Sequence, residues 1–146
     1  CATINPTQHV VELYARLKQD IGELKLQPNC LIHGDVNPGN IITSGQHQVL
    51  IDWEYSHVGD PYFDLASALT ELSLSATQVK QFIDCYVAAL NERGSICSIN
   101  EKKLSQVELY YTAICWLWQE LKYHEDEAAN KPNPYWAQLI EHLPRY

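Results

Sequence analysis

Apolar residues recur at helical spacing over five stretches of the chain and at strand-like spacing over one. Asn5-Pro6 is a cap followed by proline at the first helical position. Val10, Leu13, Tyr14, Leu17 and Ile21 then repeat every three or four residues up to Gly22. Asp60-Pro61 repeats that signature ahead of Leu65, Ala66, Leu69 and Leu72. Ser75 and Gln78 form a capping box before Val79, Phe82, Ile83, Tyr86, Val87 and Leu90, and Gly94 closes that helix. Ser98 and Glu101 make a second box before the longest pattern, whose core seam is Leu104, Val107, Tyr111, Ile114, Trp118 and Leu121. Asn130–Pro134 breaks it, and Tyr135–Leu143 is a short closing helix. Between the first and second helices lie Ile41-Ile42-Thr43 and Val49-Leu50-Ile51, apolar runs around a polar Gly-containing turn, the signal of a β-hairpin. The predicted layout is a helix, a small hairpin and four more helices: mainly α with a small β-hairpin, α+β in class, as one domain over 1–146.

The polar positions around the hairpin carry the chemistry. Cys30-Leu31-Ile32 runs into His33-Gly34-Asp35, and Asn37-Pro38-Gly39-Asn40 reads as a type II turn, with Pro38 presetting φ and Gly39 accepting a positive one. A hairpin loop of Gly45–His47 sets Thr43 opposite Val49 and Asn40 opposite Asp52; a two-residue loop shifts the register by one and still leaves Asn40 beside Asp52. The open end of the hairpin thus gathers an amide and a carboxylate, with Asp35 just across the turn. Carboxylates crowded in this way repel one another unless a cation joins them. Oxygen ligands without a thiolate pair favour Mg²⁺ over Zn²⁺.

The segments HGDVNPGN, IDWEY and GDPYFDLA, in this order and spacing, resemble the core of the aminoglycoside phosphotransferase and choline kinase family, which shares the protein-kinase fold. IDWEY is more similar to the choline, ethanolamine and thiamine kinase branch. The resemblance implies a kinase-like C-terminal lobe with a catalytic loop at 33–40, a metal motif at 52–54 and a helical substrate subdomain at 61–146. It implies that Asp35 is the catalytic aspartate that orients the substrate hydroxyl, that Asn40 and Asp52 hold Mg²⁺, and that ATP is the co-substrate. Asp64, which the helix dipole explains locally, would by resemblance brace the catalytic loop; His33, by its position, is read as bracing that loop from within rather than as a chemical group. Asn37 in place of a lysine, and Asp52-Trp53-Glu54 in place of D-F-G, set the chain apart from protein kinases and toward small-molecule kinases.

Composition narrows the partners. The 146 residues are 46% hydrophobic and 19% charged, with a net charge of −8, which argues against nucleic acid or anionic membrane and suits a neutral or cationic ligand. Five cysteines without a C-x-x-C pair argue for a reducing cytoplasm rather than a disulfide framework, and no apolar run reaches membrane-spanning length. No G-x-G-x-x-G or V-A-I-K pattern precedes His33, so the strand lobe that would hold the nucleotide is absent. Together with the lack of any methionine, this leads to the expectation of a fragment, a truncated C-terminal lobe, over the other reading, a protein that is no longer a kinase. By itself it is expected to be inactive and prone to self-association through the uncovered lobe surface.

The remaining candidates stay open between two readings. Glu54 is either a substrate or metal-water contact or a surface carboxylate, and Asp60 is read as a cap. Leu109, Ala113, Trp116, Glu120, Tyr123 and Glu127 share a helix face. That face is either packed core edged by solvated charge, or an aromatic and acidic surface for an ammonium group, with Trp116, Glu120 and Tyr123 as its contacts. The leading function is ATP-dependent phosphorylation of a small-molecule hydroxyl on an amino alcohol such as choline, ethanolamine or thiamine. The alternatives are an aminoglycoside-type antibiotic kinase, a metal-dependent hydrolase using His33, Asp35, Asp52 and His57, and a non-catalytic ligand-binding or assembly module.

Overall fold

A computed structural model of the chain describes residues 24–94 and 98–125, together with Ala15, Lys18, Gln19, Pro134, Tyr135 and Leu139; over 120–125 it describes the backbone alone. Two compact units result, one formed by Leu26–Glu108 and the other by the segments Cys1–Lys25 and Leu109–Tyr146. Most of the expected helices over 5–22 and 135–143 lies outside the described residues, although Ala15, Lys18, Gln19, Pro134, Tyr135 and Leu139 are helical.

The unit Leu26–Glu108 contains two separate two-stranded antiparallel sheets. β1 (Cys30–Ile32) pairs with β4 (His57–Gly59), Leu31 opposite Val58. β2 (Ile41–Ser44) pairs with β3 (His47–Leu50), Ile42 opposite Val49. The hairpin is where the apolar runs put it, but its loop is the two residues Gly45-Gln46, so Ser44 faces His47 and Ile41 faces Leu50. Gly45 has φ +62° and Gln46 does not share the left-handed region, the pattern of a type II′ turn, whose twist matches that of the flanking strands. Asn40 therefore lies beside Ile51, whose N–H donates to the Asn40 carbonyl at 2.9 Å. The β1–β4 pair was not legible in the sequence, because three-residue strands far apart in the chain leave no local period.

Three helices follow. α1 (Tyr62–Glu71) buries Leu65, Ala66, Ser67 and Ala68. α2 (Ala76–Glu92) begins with the expected capping box: the Ser75 N–H donates to Gln78 Oε1 at 2.9 Å and the Gln78 N–H to Ser75 Oγ. Its apolar stripe is only half-buried. α3 (Glu101–Glu125) is capped by Asn100, not by Ser98: the Lys103 N–H donates to Asn100 Oδ1 at 3.0 Å, and the Leu104 N–H to the Asn100 carbonyl. Asparagine caps as well as serine does, and here it stands directly before the first helical residue.

The expected seam of α3 holds only for its first part. Leu104, Val107 and Tyr111 are buried, whereas Ile114 and Trp118 are 37% and 54% exposed. From Leu109 onward a second buried set appears beside Tyr111 and Thr112: Leu109, Ala113 and Trp116 form a core with Leu139, and Tyr135 packs against it. The helix passes from one unit to the other at this point and carries apolar residues on more than one face, so periodicity alone could not choose between them. Among the described residues no helix is long and apolar enough to cross a membrane.

Candidate active site

The residues His33–Asn40 leave β1 as a loop tied down at nearly every peptide. Gly34 has φ +84°, and a Cβ there would lie 2.7 Å from the Tyr55 carbonyl oxygen, so this position demands glycine both for its backbone and for its space. Two helical turns of α1 hold the loop from beneath. Asp64 accepts the His33 N–H at 2.7 Å and the Gly34 N–H at 2.9 Å, one on each carboxylate oxygen, and the buried Ser67 hydroxyl donates to the Val36 carbonyl at 2.9 Å. Asp35 thus has anchored peptides on both sides. Sequence reasoning missed Ser67; the available signal was its position three residues after Asp64, on the same helix face.

The turn that follows differs from expectation. Pro38–Asn40 is a 3₁₀ turn in which Asn37 Oδ1 accepts the Gly39 N–H at 2.8 Å, the Asn40 N–H donates to the Asn37 carbonyl, and Gly39 does not take a positive φ. The asparagine side chain supplies the local bond that makes the tighter turn favourable. As a result the Asn40 side chain turns back on Asp35: its Nδ2 donates to the Asp35 carbonyl and to Asp35 Oδ2, each at 2.9 Å. With Nδ2 engaged, the amide oxygen is the Asn40 atom left to face a cation.

His33 joins this loop to the end of the hairpin. It is 1% exposed. Its Nδ1 accepts the Asp35 N–H at 3.2 Å, so its Nε2 carries the hydrogen and donates to the Ile51 carbonyl at 2.8 Å. Both ring nitrogens are thereby occupied by backbone, which leaves neither for a metal. His57 Nδ1 is likewise engaged, by the Tyr55 carbonyl at 2.8 Å. The hydrolase alternative required imidazoles as first ligands, and the His33 contacts do not favour it, whereas the bond at His57 Nδ1 leaves its other ring nitrogen available.

Asp52 follows directly after Ile51, exposed and with φ +64°. A left-handed backbone is strained for a residue other than glycine, and such outliers concentrate at functional sites. Tyr55 reports how the acidic groups cluster here. Its hydroxyl is pushed up from the ordinary tyrosine value, first by the Glu54 charge, then by partial desolvation, by its hydrogen bond with Glu54, and by the charges of Asp35 and Asp52. Asp35, Asp52 and Glu54 therefore act on one phenol oxygen. This tyrosine too was missed as a site residue, although it stands in the IDWEY segment itself.

Were a cation to bind here, the oxygens on offer would be the Asp35 and Asp52 carboxylates and the Asn40 amide. Among the described residues no group of three or more His, Cys, Asp or Glu forms a self-sufficient metal cage. Mg²⁺ takes one or two carboxylates and completes its octahedron with water and substrate phosphate, so the residues present fit that ion and not a structural zinc.

Asp60, read as a cap, does more. Its Oδ1 accepts the Tyr62 N–H at 3.1 Å, while its Oδ2 accepts the Gln27 N–H at 2.7 Å and the Lys103 ammonium at 2.6 Å. Lys103 also lies 4.3 Å above the Tyr62 ring, whose hydroxyl accepts the Asn100 N–H. Burial alone would raise the Asp60 carboxyl; the Lys103, Gln27 and Tyr62 hydrogen bonds and the Lys103 charge outweigh it and hold the group below the usual aspartate range. Trp116 lies 8% exposed in the core of the other unit, and the side chains of Glu120 and Tyr123 lie outside the described residues.

Residues 5–96 match the phosphotransferase enzyme family. The chain is 30% identical over 83 residues to a LicA homolog of Mycoplasma capricolum, covering 57% of this chain and 34% of that protein. It is 28% identical over 96 residues to LicA of Haemophilus influenzae, covering 65% and 36%. Its fold is that of choline kinase LicA from Streptococcus pneumoniae, with a TM-score of 0.69 at 23% identity over 95% of this chain and 46% of that one. A second LicA structure, in complex with AMP, superposes with a TM-score of 0.70 at 22% identity over 97% and 47%. The chain spans about a third of the length of the relatives it matches and a little under half of the solved LicA chains. With its loop, hairpin and α1 all inside the matched residues, the chain belongs to the phosphotransferase enzyme family.

Proposed function

We propose that this chain is the catalytic lobe of a longer, ATP-dependent kinase that phosphorylates the hydroxyl of a small amino alcohol, choline being the favoured acceptor. The single observation that carries the reading is the pairing of Asp35 with Asn40 beside the left-handed Asp52. The relatives named LicA, one of them described as a choline kinase and one solved with AMP, support the acceptor class and the nucleotide. Asn40 holds Asp35 Oδ2, which leaves Oδ1 to accept a hydrogen bond from the acceptor hydroxyl and to aim its oxygen at the γ-phosphorus. A loose phosphoryl-transfer transition state asks mainly for such orientation rather than for a strong base. Asn40 Oδ1 and the Asp52 carboxylate would hold Mg²⁺, which when bound neutralises the phosphate oxygens. Glu54, with Tyr55 beside it, adds negative field for a cationic acceptor.

In this reading the rest of the longer protein supplies the adenine and phosphate contacts and covers the cross-strand pairs Leu31–Val58 and Ile42–Val49, which lie exposed. The isolated chain then self-associates through them. Cys30 and Cys85 as thiols suit the reducing cytoplasm, where ATP is supplied. The test is γ-phosphate transfer by the full-length protein to choline, ethanolamine, thiamine and an aminoglycoside. Asp35→Ala and Asp52→Ala are each expected to lower turnover by about 100-fold or more, with the fold intact by circular dichroism. Undiminished turnover in either variant would refute the assignment. Nucleotide binding without transfer to any acceptor would favour the binding-module alternative.

A further inference from the structure

We propose that Trp53 is a positioning residue for Asp52, its indole N–H acting as a clasp that keeps the Asp52 backbone left-handed and its carboxylate aimed at the cation. The inference rests on the phosphotransferase reading above. Asp52 is one of two described non-glycine residues with positive φ, and its neighbours are fastened on both sides. Upstream, the Ile51 N–H donates to the Asn40 carbonyl at 2.9 Å, and the Ile51 carbonyl accepts from His33 Nε2 at 2.8 Å. Downstream, Trp53 folds back over Asp52: its Nε1 donates to the Leu50 carbonyl at 2.9 Å, and its ring meets His33 edge-on, with centroids 4.7 Å apart at 65°. The Ser56 N–H closes the turn on the Trp53 carbonyl at 3.0 Å.

A side chain that bonds three residues back spans the peptide units on both sides of Asp52. Unfastened, a strained φ relaxes toward the ordinary regions, and the carboxylate direction rotates with it. Trp53 is 47% exposed. An indole half in water gains little from burial, so its hydrogen bond and its contact with His33 are the specific work it does here. Neither the metal motif nor the helix patterns gave this residue a task.

The test uses the full-length protein and Mn²⁺ as the probe, followed by electron paramagnetic resonance in the presence of a non-hydrolysable ATP analogue. Trp53→Phe keeps a ring against His33 and removes the donor. It is expected to weaken Mn²⁺ binding by roughly three- to tenfold, the range of one ordinary hydrogen bond. The Mg²⁺ concentration for half-maximal turnover should rise to match, while the acceptor KM stays unchanged. Should Trp53→Phe fail to fold, 3-benzothienylalanine at position 53 retains the bicyclic shape with sulfur in place of N–H and is expected to give the same weakening. Wild-type Mn²⁺ affinity in the donor-less protein overturns the clasp while leaving the kinase reading in place. Absence of Mn²⁺–nucleotide binding by the wild type overturns both.

Discussion

Gly34 and Gly45 both take a positive φ, yet they differ in surroundings. A Cβ at Gly34 would meet the Tyr55 carbonyl oxygen at 2.7 Å, whereas one at Gly45 would have nothing within 4 Å. Alanine at Gly45 therefore measures backbone strain alone, about 1 kcal/mol. Alanine at Gly34 adds a clash against backbone and is expected to cost roughly 2–4 kcal/mol. Urea denaturation of the two variants should show that gap, and Gly34→Ala should also lose activity, because relief must come from moving Tyr55 or the peptide before Asp35. The residue scale is also where the sequence was most readable. Asp35 and Asn40 meet across five positions and a proline-containing turn, a distance over which turn chemistry fixes the outcome. The kind of turn escaped, because nothing in Asn-Pro-Gly-Asn announces that Asn37 will bond the Gly39 N–H and suppress the type II geometry.

Between elements, the decisive contacts span longer intervals. The Asp60–Lys103 pair joins the start of α1 to the first turn of α3 across 43 positions, and the same carboxylate fixes the connector at Gln27. A cap-plus-proline motif reveals the cap but not the cation that arrives from another helix, just as three apolar residues could not reveal the β1–β4 pairing. Lys103→Met keeps most of the stem over Tyr62 and removes the charge, leaving a buried carboxylate with backbone donors alone. A loss of about 1–3 kcal/mol is expected, at the low end of broken buried pairs since Lys103 retains some solvent. The pH dependence has a definite sign. A carboxyl held below its unfolded value of about 3.9 takes up its proton more readily when unfolded. Its stabilising effect is therefore complete above that value and disappears as the pH falls through the lower, folded pKa. Acid unfolding curves of wild type and Asp60→Asn should diverge above that window and converge below it.

At the scale of the chain, and under the proposed function, its net charge of −8 and the Asp35, Asp52 and Glu54 charges that act on Tyr55 predict attraction for a cationic acceptor. The Debye length shortens from about 30 Å at 0.01 M salt to about 8 Å at 0.15 M. The KM for choline should therefore rise over that range in the full-length protein, while that for a neutral alcohol acceptor stays flat; equal responses would remove charge from the account of acceptor choice. The helical class and the hairpin were legible because amphipathic period and turn residues are local signals. The division into two units was not, since α3 is apolar on more than one face and only packing decides that Leu109, Ala113 and Trp116 go inward.

The two amides that Asp64 receives have a consequence in time. In the folded chain the peptides before Asp35 are already fastened to α1, so little ordering of this loop remains for an encounter with a ligand. Under the proposed function, an acceptor hydroxyl would meet an aspartate whose preceding peptides are already held in place.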